Sequence, residues 1–120
     1  MAQRRTIERR NYPYLQISWY ARGSQQQGWA YLDTGFEGYL SVPESMMESL
    51  GLPDYLTPYR LAGGQLVWAP TYDGTLSLLG LDVPMSALII ALGTELLLGR
   101  QIIDHLIVTF EYGQRIEARE

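Results

Sequence analysis

The 120-residue sequence has no cysteine, and all nine of its basic residues are arginine. Without a thiol there is no cysteine nucleophile, no disulfide framework and no thiolate metal site. Without a lysine amine, Schiff-base chemistry has no carrier in this chain. Histidine is almost missing too: His105 is the only one, and no Gly-x-Ser-x-Gly elbow accompanies it for a serine triad. It reads as a surface residue of a late helix. The acids are scattered without a ligand cluster, so a metal site is not expected. Long hydrophobic runs are also lacking. The most apolar stretch, Met85 to Leu98, is broken by Ser86, Gly93, Thr94 and Glu95 and is shorter than the roughly 20 residues of a membrane-spanning helix; it reads as buried protein. The N-terminus has the charge of a signal peptide but not its apolar core, because Asn11-Tyr12-Pro13-Tyr14 intervenes. A cytoplasmic chain is expected.

What is present points to one β-rich domain. With 47% hydrophobic residues the chain can bury a single core. Twelve Gly, six Pro and many short apolar runs favour strands and turns over a helical bundle. The net charge of -4 is unevenly spread: Arg4, Arg5, Arg9 and Arg10 oppose only Glu8 in the first ten residues. Residues 1–12 therefore read as a basic segment, solvated or partly disordered, ahead of a single domain over 13–120; a nucleic-acid role is not expected.

Tyr14 to Ala21 alternates like a strand, Gly23 to Gly28 is polar, and Trp29 to Leu32 is apolar again, a hairpin that leads into Asp33. Gly38 to Val42 makes another strand. Pro43 suits the first position of a helix carrying Glu44 and Glu48, with Met46, Met47 and Leu50 to bury and Gly51 to stop it. Two apolar segments between Pro58 and Val67 flank the reversal Ala62-Gly63-Gly64-Gln65, a candidate flap. Asp73-Gly74 is either a second hairpin turn or a bulge in one long strand from Val67 to Leu81. Leu81 to Pro84 turns, Ala87 to Leu92 is a strand, Arg100 to His105 a short helix, Leu106 to Tyr112 the last strand and Gly113 to Glu120 a polar end. Of the aromatics, Trp19, Tyr20, Trp29 and Tyr31 fit a core face with cross-strand pairs; Trp68 serves either the core or a bound peptide.

Asp33 is the carboxylate with the context for chemistry. An apolar strand delivers it, Gly35 permits a sharp turn after it, and Thr34 supplies a hydroxyl to hold that turn. Hydrolysis of an amide needs a base for the water and an acid for the carbonyl and leaving nitrogen. Two carboxylates about 3 Å apart do both, because they cannot ionise together and share one proton. Asp-Thr-Gly alone is an ordinary turn sequence. Three segments in order carry more: Ala30-Tyr31-Leu32-Asp33-Thr34-Gly35, the reversal at Gly63-Gly64, and Leu97-Leu98-Gly99-Arg100-Gln101. In these the chain resembles the retropepsin family, the retroviral-type aspartic proteases and their cellular relatives, over about residues 14 to 112.

The resemblance implies a mostly β, closed acid-protease barrel with short helices, one after the active-site strand and one near the C-terminus. It implies an aspartic endopeptidase acting on extended polypeptide, with Asp33 from each subunit of a homodimer and no cofactor. Leu97, Leu98 and Gly99 would thread behind the active-site loop as a ψ-shaped strand. Glu37 and Arg100 occupy the places of an acid and an arginine that brace this loop, in a partly buried bidentate pair. Thr34 would bond to the partner's loop, and Ala62 to Gln65 would close over substrate. Chain ends in the family commonly interleave between subunits, for which the Arg-rich ends here are poorly suited. Phe36 departs from the small residue usual after Asp-Thr-Gly and would reshape the cleft. Hence a second expectation: a catalytically silent module that binds peptide or dimerises.

Overall fold

The structure is a computed structural model that describes residues 6–9, 13–81 and 84–120. In chain order the elements are β1 (Thr6–Arg9), β2 (Tyr14–Ala21), β3 (Ser24–Leu32), β4 (Leu40–Val42), a 3₁₀ turn (Glu44–Met46) running into α1 (Met47–Leu50), β5 (Tyr55–Arg60), β6 (Leu66–Leu78), β7 (Met85–Ala91), β8 (Leu97–Leu98), α2 (Arg100–Ile103), β9 (Ile107–Glu111) and β10 (Arg115–Arg119). The described residues are mostly β with two short α-helices, as expected. Among the described residues no helix is long and apolar enough to cross a membrane.

Strands β2, β3, β8, β4, β7 and β6 hydrogen-bond in that order, and β6 returns to β2, which closes a six-stranded barrel. The closure depends on the length of β6. Its first half pairs with β5 from Leu66 to Thr71, and its second half pairs with β2 from Gly74 to Leu78, while β7 lies along the other edge. Asp73-Gly74 is thus neither turn nor end but the crossing point inside one strand. A Cβ at Gly74 would stand 2.4 Å from the carbonyl oxygen of Tyr20 and 2.4 Å from Cδ1 of Ile89, so only glycine lets the strands approach there.

The barrel interior follows the period of two. Leu15, Ile17 and Trp19 of β2, Leu76 and Leu78 of β6, Ile89 of β7 and Leu98 of β8 are all 1% exposed or less. Each such side chain contributes about 1.5–3 kcal/mol on burial. Of the four aromatics assigned to a core face, only Trp19 is inside. Tyr20, Trp29 and Tyr31 lie on the outer face, where Tyr31 meets Tyr14 edge-on at 5.5 Å.

Three boundaries differ from the sequence reading, each for a local reason. The β2–β3 loop is only Arg22-Gly23, both with positive φ (55° and 78°), the geometry of a type I′ hairpin turn. The polar run from Ser24 to Gly28 is strand, in which Gln25 and Gln27 are exposed and Gln26 between them is half-buried. Pro43 sits one place before the 3₁₀ turn, at φ -57° and ψ 141°, and Gly51 ends α1 at φ 76°. The polar end becomes β10, with Ile116 and Ala118 fully buried. This last strand pairs with β9 on one side and β1 on the other, making a separate three-stranded sheet within one chain. Thr6–Arg9 of the basic segment are therefore paired strand; residues 1–5 and 10–12 lie outside the described part.

Candidate active site

The loop after β3 is built from main-chain hydrogen bonds. The N–H of Asp33 donates to the carbonyl of Leu98 at 3.0 Å, and its own carbonyl accepts from the N–H of Phe36 at 3.1 Å. Oδ1 of Asp33 accepts from the N–H of Gly35 at 2.9 Å, which fixes the carboxylate over the turn. Asp33 is partly exposed, and Thr34 and Gly35 stand exposed beside it.

Leu97 and Leu98 pass between the two arms of this loop. They run parallel to Tyr31 and Leu32 of β3 and antiparallel to Leu40 and Ser41 of β4, which is the threaded arrangement expected of a ψ-shaped strand. Three successive N–H groups then tie the loop down: Gly99 to Tyr39 (2.9 Å), Arg100 to Phe36 (2.8 Å) and Gln101 to Gly38 (3.1 Å). The approach is so close that a Cβ at Gly99 would lie 2.1 Å from the carbonyl oxygen of Gly38 and 2.7 Å from Cδ2 of Phe36.

Phe36 occupies space that two missing side chains leave open. A Cβ at Gly38 would fall 2.6 Å from its Cζ, and the Gly99 position is equally close to its ring. The ring also meets Tyr59 of β5 at 5.9 Å. The residue that departs from the expected small one thus folds back over the loop glycines and touches β5. Burial holds the Tyr59 phenol above its ordinary value, with a smaller contribution from Tyr39.

Glu37 and Arg100 are brought together, but not as the resemblance implied. Their one contact is 3.6 Å, and the side chains are 79% and 49% exposed. A solvated single contact of this kind contributes about 0–1 kcal/mol, so within the subunit the backbone bonds, not this pair, hold the loop.

The glycine reversal joins β5 to β6. Leu61 N–H donates to Gln65 and Gly64 N–H to Leu61, both at 2.8 Å; Gly64 takes φ 86°, and Arg60 donates to its carbonyl at 2.8 Å. Ala62, Gly63, Gly64 and Gln65 are all exposed. Between this hairpin and the Asp33 loop lie two cavities. One, of about 420 Å³, is lined by Asp33, Ser41, Leu61, Ala62, Leu92 and Leu97 among others. The second, of about 680 Å³, opens on the far side of Phe36 and Tyr59 and includes Glu37, Tyr39 and Gln101. Sequence reasoning missed Tyr59, Ser41 and Leu92; the alternation of Tyr55, Thr57 and Tyr59 was the available signal. Trp68 is 62% exposed, opposite Pro58, so it belongs to neither the core nor these cavities.

No protein-family model matches the chain, and no curated protein matches it by sequence. Solved structures do match. A retropepsin-like aspartic protease from Rickettsia conorii superposes with a TM-score of 0.60 at 13% identity, over 99% of this chain and 95% of that one. The protease of Simian Foamy Virus (mac) superposes with a TM-score of 0.51 at 20% identity, over 76% and 91% respectively. Barrel, threaded strand and comparisons agree: this chain has a retropepsin-like fold.

Proposed function

We propose that the chain is an aspartic endopeptidase whose active site forms when two copies bring their Asp33 carboxylates together. The observation that carries the reading is the placement of Asp33: its carboxylate is oriented by the Gly35 N–H, at a cavity that the β5–β6 reversal overhangs. One carboxylate can serve only as base or as acid. Two related by a two-fold axis share a proton, so one takes a proton from the attacking water while the other donates to the carbonyl oxygen. Thr34, exposed at the turn, would bond to the partner's loop. An extended peptide would lie between the reversal and the loop, its main chain supplying hydrogen bonds and its side chains entering the two cavities. The relatives in the structural comparison are named as proteases, which supports the same reading.

The test is cleavage of a broad peptide library by the wild type and by Asp33→Asn. The wild type is expected to cleave and the variant to lose all cleavage; equal cleavage by both removes Asp33 from the mechanism. The Phe36–Tyr59 contact, which divides the space beside Asp33, favours a second reading in which peptide is bound and not cut. Peptide that stays intact while saturating the wild-type protein would establish that one.

A further inference from the structure

Tyr20 and Trp29 stand on the outer face of the barrel, 48% and 40% exposed, and line neither of the cavities at Asp33. The strand register places their neighbours. Gln25, Tyr20, Thr75 and Ser86 lie opposite one another in a row across β3, β2, β6 and β7, and all four are exposed. The next row is Gln27, Ser18 and Ser77, and beyond it Trp29 lies beside Gln16. The edge-on pair of Tyr31 and Tyr14 ends the face. No row holds a charged residue, whereas an ordinary soluble surface is about 25–35% Lys, Arg, Glu and Asp. In β2, β3, β6, β7 and the β2–β3 turn the charged residues are Arg22 and Asp73, and both are engaged at the margin. Arg22 pairs with Asp54 at 3.0 Å, and Asp73 accepts from the Tyr55 hydroxyl at 2.8 Å.

We infer that this face is a platform for a neutral glycan chain, with sugar rings stacked on Trp29 and Tyr20 and their hydroxyls bonded by the glutamines between. The inference goes beyond the peptidase reading and stands or falls without it. Its ground is the chemistry of the rows. With no Lys or Arg on the face, a phosphate backbone finds no counter-charge, and an acidic or basic polysaccharide finds no partner either. A lipid surface would strip water from the amides and hydroxyls without replacing their hydrogen bonds. The core of a protein interface is an apolar patch depleted in serine, whereas here amide and hydroxyl rows separate the aromatics. A neutral sugar fits both halves of the pattern: its C–H faces are apolar, and its hydroxyls both donate and accept, as a glutamine amide does. The spacing suits a chain rather than one ring. Gln16, beside Trp29, is four residues from Tyr20 along β2, so the two aromatics are about 13 Å apart. The platform is also stiff: both aromatics sit on paired strands, each has only two side-chain torsions to fix, and Gln25 Nε2 donates to Ser18 Oγ at 3.1 Å, which holds one amide within the face.

The test is native affinity electrophoresis of the full chain through gels containing amylose, hydroxyethyl cellulose, dextran or mannan, with heparin and chitosan as charged controls. At least one neutral polymer is expected to retard the protein, and neither charged one. Tyr20→Ala and Trp29→Ala, each checked for fold by circular dichroism, should weaken that binding by about tenfold or more. Gln27→Glu, which keeps the size of an exposed side chain and adds a charge, should weaken it as well. Trp68→Ala, which removes another exposed tryptophan, 62% exposed on the β5–β6 hairpin, should leave binding unchanged, and so should Asp33→Asn. Migration unaffected by all four neutral polymers overturns the platform, as does binding that survives both aromatic substitutions or that follows heparin or chitosan instead. Sedimentation in which the wild type is dimeric and Tyr20→Ala or Trp29→Ala monomeric would identify the face as an interface between copies and overturn the glycan. Glycan binding without peptide cleavage keeps the platform and removes the peptidase; cleavage without glycan binding does the reverse.

Discussion

Replacing Gly99 by alanine tests the packing of the candidate active site without touching its carboxylate. The added Cβ would lie 2.1 Å from the carbonyl oxygen of Gly38, whereas real Cβ atoms essentially never come under 3.0 Å. The two backbones must therefore separate by about 0.9 Å (3.0 minus 2.1). Overpacking of this kind costs about 1–3 kcal/mol. The same separation stretches the bonds from Gly99, Arg100 and Gln101 to the loop, and a lost hydrogen bond adds about 1 kcal/mol. Together these give about 2–4 kcal/mol. For a domain of 120 residues, with about 4 °C per kcal/mol, the melting temperature should fall by about 8–16 °C. Thermal and urea unfolding measure this, with Gly63→Ala as the control, since nothing lies within 4 Å of a Cβ there. Phe36→Ala added to Gly99→Ala should restore only part of the loss, because the worst contact is with backbone. Gly99→Ala melting within about 2 °C of the wild type would refute the account of how the ψ strand holds the loop.

Three other outcomes follow from the same geometry. Gly74→Ala should destabilise by about 2 kcal/mol or more, through contact with the Tyr20 carbonyl and Ile89, read as a lower urea midpoint with unchanged slope. Glu37→Gln should change unfolding free energy by less than about 1 kcal/mol, because its contact with Arg100 is solvated; a larger loss in the isolated subunit contradicts that reading. Tyr59 bears on alkaline pH. Its phenol is held above the ordinary value of 10.0 by burial, so its stabilisation is complete below pH 10 and lost as pH rises through the folded value. Stability curves above pH 10 should accordingly be steeper for the wild type than for Tyr59→Phe, and identical slopes would show that the phenol is freely solvated.

Much of the fold was legible because its signals are local. The alternation of β2, the Asp-Thr-Gly turn and the Leu97-Leu98-Gly99 element each occupy a few consecutive residues, and the structure brings the last two together. What was illegible depends on partners far along the chain. The role of Gly74 is set by Tyr20 and Ile89, neither near in sequence. The seat of the Phe36 ring was hidden because nothing in its neighbourhood shows that Gly99 leaves space for it. The strand β10 was hidden by polarity: in Arg-Ile-Glu-Ala-Arg only the alternate Ile116 and Ala118 are buried, too short a pattern to distinguish from a solvated tail. Glu37 and Arg100 were found as a pair, but sequence gives no burial, and burial decides what an ion pair contributes.

The threading of β8 also orders events in time. Asp33 receives its main-chain anchor from Leu98, so the Asp33 turn waits for a segment in the last fifth of the 120 residues. During synthesis β2 and β3 can pair as soon as they emerge, since their contacts are local, while the seat between β3 and β4 stays vacant until Leu97 and Leu98 arrive. A nascent chain is then a barrel in preparation, with the turn at Asp33 not yet anchored. Chains ended before Leu97 are expected to show β structure by circular dichroism but no protected Asp33 amide in hydrogen exchange. Completion of the Asp33 turn is in this sense left to the late part of folding by topology.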